Sequence, residues 1–479
     1  MTKLHYLGAA EALLLFQARE LSPVELMEAV IERTAATNPS INALTETMFD
    51  DALEAARRAE AQYLREPTQR GGTGALPGTT LLGLPVATKE KHAIAGRSLS
   101  QGLLAQADVR ATAHHPVVER IKAAGGIIHA RTTSPEFSCA TVTHSPMWGV
   151  TRNPWHPDYS PGGSSGGSGA ALAAGMTPLA TASDIAGSTR LPASFTGTVG
   201  FKAPYGRIPG LGPLASDWYR GDGPMARSVA DAALLANVMA GPHPADHNTV
   251  AASSPIPARP APVAGARIAL CIRLGDYAVA PDIEANTRAV AASLEAAGAI
   301  IEEIELPWSS RSIGETIFTH FGHILGPAMH EATSGSEASL AGYTRQFMAD
   351  ARAAATRNTL LDALAAEHRI QAQLAAAMEG FDALLAPASA VPALDAAGDY
   401  LDGIDVGGTH LEHYWQAHMT APFNIANRCP VLAVPSGLAD VDLPTGVQIV
   451  GHPYDDQMVF RVGAAIEETR PWAGRFPPL

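Results

Sequence analysis

The stretch PGGSSGGSGAALAAGMTPLATASDIAGSTR, residues 161–190, decides how this chain folds and where its chemistry lies. Its first part is rich in glycine and serine, and it passes directly into the helix-forming GAALAAG at 169–175. The apolar run MTPLATASDI then predicts a strand that ends in a turn of small residues before Ser188. A flexible linker would not continue into a helix and a strand, so we predict that the segment belongs to the folded core.

Two other interpretations of the glycine-rich part are weakly supported. A Walker A phosphate loop ends in Gly-Lys-Ser or Gly-Lys-Thr, and no lysine follows here. Gly162, Ser164 and Gly166 formally match the GxSxG motif of α/β-hydrolase esterases, which requires a strand, a sharp turn and a helix. The preceding RNPWHPDYSP, residues 152–161, contains three prolines and does not predict a central strand. The α/β-hydrolase-type esterase is therefore kept only as the weaker alternative.

Ser188 has the local surroundings of a catalytic nucleophile. Small residues precede it, so a substrate carbonyl can approach closely. Successive backbone N–H groups in such a turn can point at one spot and form an oxyanion hole beside the hydroxyl. The groups predicted to do so belong to Ile185, Ala186, Gly187 and Ser188. A hydroxyl nucleophile also needs a base, and 161–190 contains no histidine.

Lys89 is the candidate base among the few lysines of the chain. It ends the apolar run GLPVATK at 83–89, which predicts a strand. Burial at the end of a strand lowers the pKa of a lysine from about 10.4 towards neutrality, because it disfavours the charged form. A neutral lysine can act as a general base, whereas an ordinary exposed lysine at a strand end is the alternative interpretation.

The remainder of the chain predicts an α/β fold with a largely buried sheet. Short apolar runs alternate with helical stretches from about residue 75 onward. The runs are LPVATK, GIIHAR, TPLATAS, RIALCIR, AIIEEIE, DALLAPAS, CPVLAVPS and GVQIVGH. The Pro- and Ala-rich segment 241–266 fits a surface loop inside one large domain better than a domain linker, because strand-like runs of similar composition resume after it.

Residues 1–75 are predicted to form a helical lead-in. Ser22, Pro23 and Glu25 form the signature of a helix start, with a capping box and a proline at the first helical position. A second helix is predicted for FDDALEAARRAEAQYLRE at 49–66, and the glycine-rich GGTGALPG at 71–78 follows it.

Composition and charge exclude several classes of partner. Hydrophobic residues make up 46% of the 479 residues, charged residues 17%, and the formal net charge is −14. This composition is typical of a soluble enzyme, and the acidic balance without a basic run argues against nucleic acid. No apolar stretch reaches the roughly 20 residues of a membrane helix, and the N-terminus lacks a signal-peptide pattern. We expect a cytoplasmic monomer or homodimer without a membrane partner.

The cysteines and histidines predict neither a disulfide framework nor a metal site. Cys139, Cys271 and Cys429 lie far apart without a CxxC pair, so we expect buried free thiols. HFGHILGPAMH at 320–330 lacks the HExxH pattern and an obvious carboxylate ligand. No metal and no cofactor are therefore predicted.

Several motifs together resemble the amidase signature family. They are GLPVATKE at 83–90, PGGSSGGSGAALAAG at 161–175, SDIAGSTRLPASFTGTVGFKAPYGRIP at 183–209, APFNIANRCPVLAVPSGL at 421–438 and LPTGVQIVGHPYDD at 443–456. The resemblance covers most of the chain from about residue 75, in the family's order, and the Gly/Ser-rich segment is highly specific. It implies a large mixed β-sheet flanked by helices on both faces, in one compact unit with the family's α/β domain at 76–479.

The resemblance also implies a mechanism. Ser188 would be the nucleophile that forms an acyl-enzyme, Ser164 the bridging serine held by a cis peptide, and Lys89 the terminal base. Asp184 and Arg190 match family positions that brace the loop. The implied activity is hydrolysis of the C–N bond of a small amide, aryl amide or carbamate, with urethanase or esterase side activity. The implied partner is thus a small-molecule substrate.

An amidotransferase A-type subunit that releases ammonia for a partner is the alternative within the family. The family's NMDEF stretch reads TSPEF at 133–137 here, which disfavours the amidotransferase branch, and the acidic charge also disfavours a tRNA-dependent role. Ala186 stands where the family usually has glycine. The alanine would be strained if position 186 had a positive φ, and its methyl group would otherwise narrow the site. Trp218, Tyr219, Phe318, Tyr414 and Trp415 are candidates for lining an apolar pocket, with ordinary core or surface packing as the alternative.

Overall fold

One mixed β-sheet of eleven strands runs through the centre of the protein. The structure is a computed structural model and describes residues 3–65, 80–251 and 254–479. The loop predicted at 71–78, and with it the boundary between lead-in and α/β domain, lies outside the described residues. The strand order is β1-β3-β2-β6-β8-β7-β14-β15-β11-β9-β10, and β4 with β5 and β12 with β13 form two small hairpins.

The strands correspond closely to the apolar runs of the sequence, since each of the eight predicted runs overlaps one strand of the large sheet. In chain order the strands are β1 (Leu44–Thr47), β2 (Pro85–Lys89), β3 (Ile127–Thr132), β4 (His144–Ser145), β5 (Gly149–Val150), β6 (Leu179–Asp184), β7 (Val199–Lys202), β8 (Gly221–Ala226), β9 (Arg267–Leu270), β10 (Ile300–Glu303), β11 (Ala383–Pro387), β12 (Ile404–Val406), β13 (Thr409–Leu411), β14 (Val431–Leu438) and β15 (Pro444–Gly451).

Helices cover both faces of the large sheet, as predicted. Within the described ranges they are α1 (Ala9–Ala18), α2 (Pro23–Ile41), α3 (Phe49–Arg65), α4 (Pro116–Ala123), α5 (Gly166–Ala173), α6 (Arg190–Thr196), α7 (Val229–Met239), α8 (Pro281–Ala296), α9 (Ser310–Thr333), α10 (Gly342–Arg357), α11 (Leu360–Ala377), α12 (Pro422–Ile425) and α13 (Asp456–Thr469).

Alternating strand residues separate two apolar layers. Leu432 and Val434 of β14 pack in one core cluster with α1, α2, α4, α7, α8 and α13. Val431 of the same strand packs with α9, α10 and α11 in a second cluster, and Ala433 packs with α5 and α6. The period of two along the strand places these sets on opposite faces of the sheet. The fold is therefore a helix–sheet–helix sandwich.

The N-terminal region contains the predicted helices and also one unpredicted strand. Ser22 caps α2, because its side chain accepts a hydrogen bond from the N–H of Val24 while the Glu25 side chain accepts one from the N–H of Ser22. β1 follows α2 and pairs antiparallel with β3 at the edge of the large sheet. The helical lead-in is thus joined to the sheet by its own strand.

Strand direction places two chemistry-bearing segments at the same edge of the sheet. β2 runs parallel to both β3 and β6, so the carboxyl ends of these three strands lie together. β2 ends at Lys89 and β6 ends at Asp184.

The strands that flank segment 241–266, β8 and β9, belong to the same sheet. None of the helices in the described residues is long and apolar enough to cross a membrane.

We expect that Ser22→Ala lowers the free energy of unfolding by about 1 to 2 kcal/mol, because it removes the cap of α2. The shift of the urea unfolding midpoint measures this loss. Ser309→Ala is the matched control, since Ser309 lies at the N-cap of α9 without a side-chain cap bond. Equal stability of the two variants would contradict the assignment of the cap.

Candidate active site

Lys89 ends β2 inside a ring of serine hydroxyls. Its Nζ lies 2.7 Å from Ser164 Oγ, 2.9 Å from Ser165 Oγ and 3.1 Å from Ser183 Oγ. Its backbone N–H donates to Thr181 Oγ1, so main chain and side chain are both fixed. The side chain is completely buried. The lysine singled out by the sequence therefore contacts the glycine- and serine-rich segment directly.

Burial sets the charge state of this lysine. The pKa of Lys89 is held well below its usual value, first by burial and then by the positive charge of Lys91. Arg220 acts in the same direction, while the carboxylates of Asp222 and Asp184 oppose it. Among the described residues, no carboxylate is bonded to Nζ, and its three partners are neutral hydroxyls. The site thus favours the uncharged amine.

Ser164 lies in the loop between the prolines of 152–161 and α5. The peptide bond between Gly163 and Ser164 is cis. Glycine is required nearby because a Cβ on Gly167 would lie 2.4 Å from the backbone nitrogen of Thr133. The last strand before Ser164 is β5, which ends at Val150, so the strand-turn-helix context of the GxSxG motif is not met.

Ser165 and Ser164 differ in what they contact besides Lys89. Ser165 Oγ also contacts the backbone of Ser183, with a carbonyl at 3.4 Å and an N–H at 3.3 Å. Ser164 instead lines a cavity of about 50 Å³ together with Ser188. The N–H of Ser165 donates to the carbonyl of Ser188 at 3.1 Å, which ties the two segments together. Ser164 is therefore the serine that adjoins both Lys89 and the cavity.

The turn from β6 to α6 carries Ser188. Gly187 adopts a φ of +122°, and a Cβ there would lie 2.0 Å from Thr420 Oγ1, so this position requires glycine. Ala186 is not among the residues with positive φ. Ala186 lines the cavity, and its replacement of the family's glycine puts no strain on the backbone.

The backbone N–H groups of this turn are not equivalent. That of Gly187 donates to Asp184 Oδ1 at 2.7 Å, so it is already engaged by a carboxylate. In the described part of the chain, the N–H groups of Ile185, Ala186 and Ser188 donate to no protein acceptor. Of the four donors predicted for an oxyanion hole, these three are available.

Asp184 and Arg190 form a buried pair that holds the turn. Arg190 donates to both carboxylate oxygens, from Nε at 3.0 Å and from Nη2 at 2.9 Å. Asp184 also accepts from the N–H of Thr189. Burial alone would raise the pKa of Asp184, but the charge and hydrogen bonds of Arg190 hold it well below its usual value. These contacts are the ones that a bracing role requires.

The partners that complete this brace were missed by the sequence analysis. Arg190 also donates to Thr420 O, Asn424 Oδ1 and Gln448 Oε1. A signal was present, because Gln448 interrupts the apolar strand GVQIVG and Asn424 lies in the apolar APFNIAN. Polar residues at such positions are buried only with partners.

An aromatic pocket of about 70 Å³ adjoins the cavity, and both are lined by Cys139, Thr141, Ala186, Phe321 and Phe347. Three of the five predicted lining residues, Phe318, Tyr414 and Trp415, belong to it. Trp218 and Tyr219 do not line either space. Tyr219 is buried and stacks on His320 at 3.7 Å between ring centroids.

The cysteines match the prediction in part. All three are free, and Cys271 and Cys429 are buried. Cys139 is only half-buried and lines both the cavity and the aromatic pocket, because the turn that carries it faces the site.

One histidine–carboxylate group in the described residues has the spacing of a metal site. It consists of His92, His115 and Asp222, all buried. The Nδ1 of His115 accepts from the N–H of Val117, which places the imidazole proton on Nε2, facing Asp222 at 3.4 Å. Lys91 adds a cation 3.2 Å from the same carboxylate. The Asp222 carboxylate thus already faces the His115 Nε2 proton and the Lys91 ammonium, so we interpret the group as a hydrogen-bonded network. In 320–330, His320 pairs instead with Asp217 at 2.8 Å.

Comparisons with known proteins give the class. A family model described as Amidase matches residues 25–460. An acylamidase of Rhodococcus erythropolis is 34% identical over 99% of this chain and 98% of its own length. The A-type subunit of a glutamyl-tRNA(Gln) amidotransferase from Chloroflexus aggregans is 31% identical over 100% of this chain and 99% of its own. A bacterial aryl acylamidase of the amidase signature family has a similar structure, with a TM-score of 0.88 and 26% identity over 100% of both chains.

The chain belongs to the amidase signature family. The resemblance found in the motifs is thereby confirmed, and so is the mixed, helix-flanked sheet that it implied.

We expect Arg190→Met to lower the free energy of unfolding by about 3 to 5 kcal/mol, because it leaves the Asp184 carboxylate buried without its counter-ion. Urea unfolding followed by circular dichroism measures the loss. Arg288→Met is the matched control: it breaks a pair with Glu303 whose side chains are about half exposed, and should cost about 1 kcal/mol or less. Equal losses in the two variants would contradict a bracing role.

Proposed function

We propose that this protein is an amide hydrolase that acts through an acyl-enzyme on Ser188, with Ser164 and Lys89 as the proton relay. The observation that carries the proposal is the 2.7 Å contact between Lys89 Nζ and Ser164 Oγ at the wall of the cavity that Ser188 also lines. Burial lowers the pKa of Lys89 and so favours its uncharged form, which supports its role as the base.

The hydrogen-bond capacity of Lys89 gives the relay a direction. A neutral amine donates two hydrogen bonds and accepts one, which matches its three hydroxyl partners. The Ser165 hydroxyl contacts the carbonyl of Ser183 as a donor, so it is an acceptor for Lys89. Ser164 has no other protein partner among the described residues, and its O–H is free to donate to the lone pair of Lys89.

Proton transfers along this relay accompany each step of the reaction. Ser188 Oγ attacks the amide carbonyl carbon, its proton passes to Ser164, and the proton of Ser164 passes to Lys89. The backbone N–H groups of Ile185, Ala186 and Ser188 stabilise the resulting oxyanion. The C–N bond breaks as a proton returns along the relay to the leaving nitrogen, because an amide anion is a poor leaving group. Water then hydrolyses the acyl-enzyme and releases the acid.

The aromatic pocket beside Ala186 favours a substrate with an aromatic or other apolar group. Phe318, Phe321 and Phe347 form this pocket with Tyr414 and Trp415. The aryl acylamidase similar to this chain supports aryl amides as the first class to try. Carbamates and esters undergo the same acyl transfer, so we propose urethanase and esterase activity as side reactions.

An amidotransferase A-type subunit is the second candidate, supported by the 31% identity to such a protein. Turnover by the single chain separates the two candidates. Hydrolysis of 4-nitroacetanilide, phenylacetamide or ethyl phenylcarbamate by the purified protein alone would support the hydrolase. Inactivity on all three, with glutamine hydrolysis dependent on a partner, would support the amidotransferase.

Single substitutions test the relay on a neutral anilide. Ser188→Ala is expected to abolish hydrolysis, and Ser164→Ala and Lys89→Ala to lower kcat by several orders of magnitude with the fold intact. Ser165→Ala is the matched control, because it removes one hydroxyl from Lys89 but leaves Ser164 in place. We expect it to cost about tenfold or less, roughly one hydrogen bond. A larger loss in Ser165→Ala than in Ser164→Ala would overturn the assignment.

The charge state of Lys89 predicts an acid limb in the pH profile. As the pH falls below the lowered pKa of Lys89, the base takes up a proton, and kcat/KM for a neutral anilide should fall about tenfold per pH unit. The loss of stability that this pKa shift causes occurs at higher pH, as the pH falls from the usual lysine pKa of about 10.4 to the lowered pKa of the folded protein, because only the unfolded chain binds this proton there. Circular dichroism at each pH separates the two effects. A profile without an acid limb in the folded protein would contradict the role of Lys89.

A further inference from the structure

Arg220 presents an unpaired guanidinium group to the candidate active site. Arg220 lines the cavity that Ser164 and Ser188 also line. Its Nε is buried without a hydrogen-bond partner. Across the described residues, the guanidinium makes no ion pair or hydrogen bond with any protein group. A buried N–H donor without a hydrogen-bond partner destabilises a protein unless a ligand supplies the acceptor.

Other buried or half-buried arginines of this fold have protein partners. Arg190 is bonded to Asp184 and to three further acceptors. Arg207 pairs with Asp456 at 2.6 Å and also donates to the carbonyl of Ala251. Arg227 donates to three backbone carbonyls. Arg220 differs from these arginines in that its guanidinium N–H groups have no protein acceptor among the described residues and the residue lies beside the cavity.

The backbone of Arg220 is fixed even though its side chain is unpaired. Its N–H donates to Asp217 O at 3.0 Å, and its carbonyl accepts from Asn427 Nδ2 at 3.1 Å. Asn427 also donates to the carbonyl of Trp218, so this turn is held at two points. A guanidinium on an anchored backbone loses little further freedom on binding, which is the arrangement of a prepared ligand site.

The charges around the cavity leave room for one anion. Lys91 and Arg220 both line it, and the ammonium of Lys91 is already paired with Asp222 at 3.2 Å. Asp184, the carboxylate on the cavity wall, is paired with Arg190 at 2.9 Å. Arg220 and Lys91 also line a second cavity of about 210 Å³ that extends towards Asp222. The positive charge of Arg220 therefore has no counter-ion among the cavity-lining groups.

We propose that Arg220 binds a carboxylate carried by the substrate, and that the enzyme acts on amides with a carboxylate on one side of the scissile bond and an aromatic group on the other. The proposal rests on the hydrolytic function proposed for Ser188. The planar guanidinium suits a carboxylate because it forms two parallel hydrogen bonds. The aromatic pocket adjoins the cavity at Ala186 and Phe347, so the two ends of such a substrate have separate places.

Two matched substrate pairs test the proposal with the purified full-length protein. Glutaric acid monoanilide is compared with 5-methylhexananilide, in which an isopropyl group replaces the carboxylate. Hippurate is compared with N-isobutylbenzamide in the same way, so the carboxylate lies on the acyl side in one pair and on the amine side in the other. We expect the carboxylate member of at least one pair to have the higher kcat/KM, by about 10- to 100-fold.

Substitutions of Arg220 assign the preference to this side chain. Arg220→Met should remove most of the preference, chiefly by raising KM for the carboxylate substrate, and Arg220→Lys should restore part of it. Arg220 also lowers the pKa of Lys89, but the neutral member of each pair reports that effect separately. Arg352→Met removes the same charge from an exposed position on α10 and should leave the preference unchanged. A preference unaltered by Arg220→Met, or absent in the wild-type protein, would overturn the proposal.

A binding measurement separates failure of this proposal from failure of the hydrolase. Calorimetry with Ser188→Ala protein needs no turnover and is run with both carboxylate substrates, hippurate and glutaric acid monoanilide. Binding that is weakened about tenfold or more in Ser188→Ala/Arg220→Met supports the carboxylate site even if no substrate is hydrolysed. Equal binding by the two proteins overturns the carboxylate site, while hydrolysis of the neutral anilide would still support the function of Ser188.

Discussion

The candidate site depends on the amine of Lys89, which is buried without a counter-ion in the part of the chain that the structure describes. Lys89 is completely buried and is met by hydroxyl groups, although two carboxylates lie in its wider surroundings. Had either carboxylate reached Nζ, the ion pair would have stabilised the ammonium form. In the fold, Asp184 instead forms an ion pair with Arg190, and Asp222 forms one with Lys91. Each of these two carboxylates is paired with another cation, and the hydroxyl partners of Lys89 do not stabilise its ammonium form.

The same constraint explains the high content of small residues around the lysine. Three parallel strands bring their ends together, and α5 packs against them closely enough that Gly167 has no room for a side chain. Serine hydroxyls are small enough to satisfy an amine in this space while leaving a cavity beside Ser188. The Gly/Ser-rich sequence is therefore a packing requirement as much as a chemical motif.

Much of the fold could be predicted from the sequence, because buried strands are marked by continuous apolar runs. Strand β8, GDGPMA, was not predicted, since glycine and proline obscure its pattern. The meeting of Lys89 and Ser164 followed from family resemblance, because residues 75 apart give no spacing signal of their own. The sequence could not show that the N–H of Gly187 differs from the other N–H groups of its turn. Its hydrogen bond to Asp184 depends on a backbone conformation that only the structure reveals.

The brace around Arg190 also has a consequence for how the protein is made. Three of its acceptors, Thr420, Asn424 and Gln448, follow it by 230, 234 and 258 residues. During synthesis the turn that carries Ser188 leaves the ribosome long before these acceptors exist. The Arg190 guanidinium remains without the Gln448 acceptor until β15 has been made and has joined the sheet, so the brace of the turn cannot be complete before then. A chain that stops short of β15 would therefore carry Ser188 on a turn that lacks part of its brace.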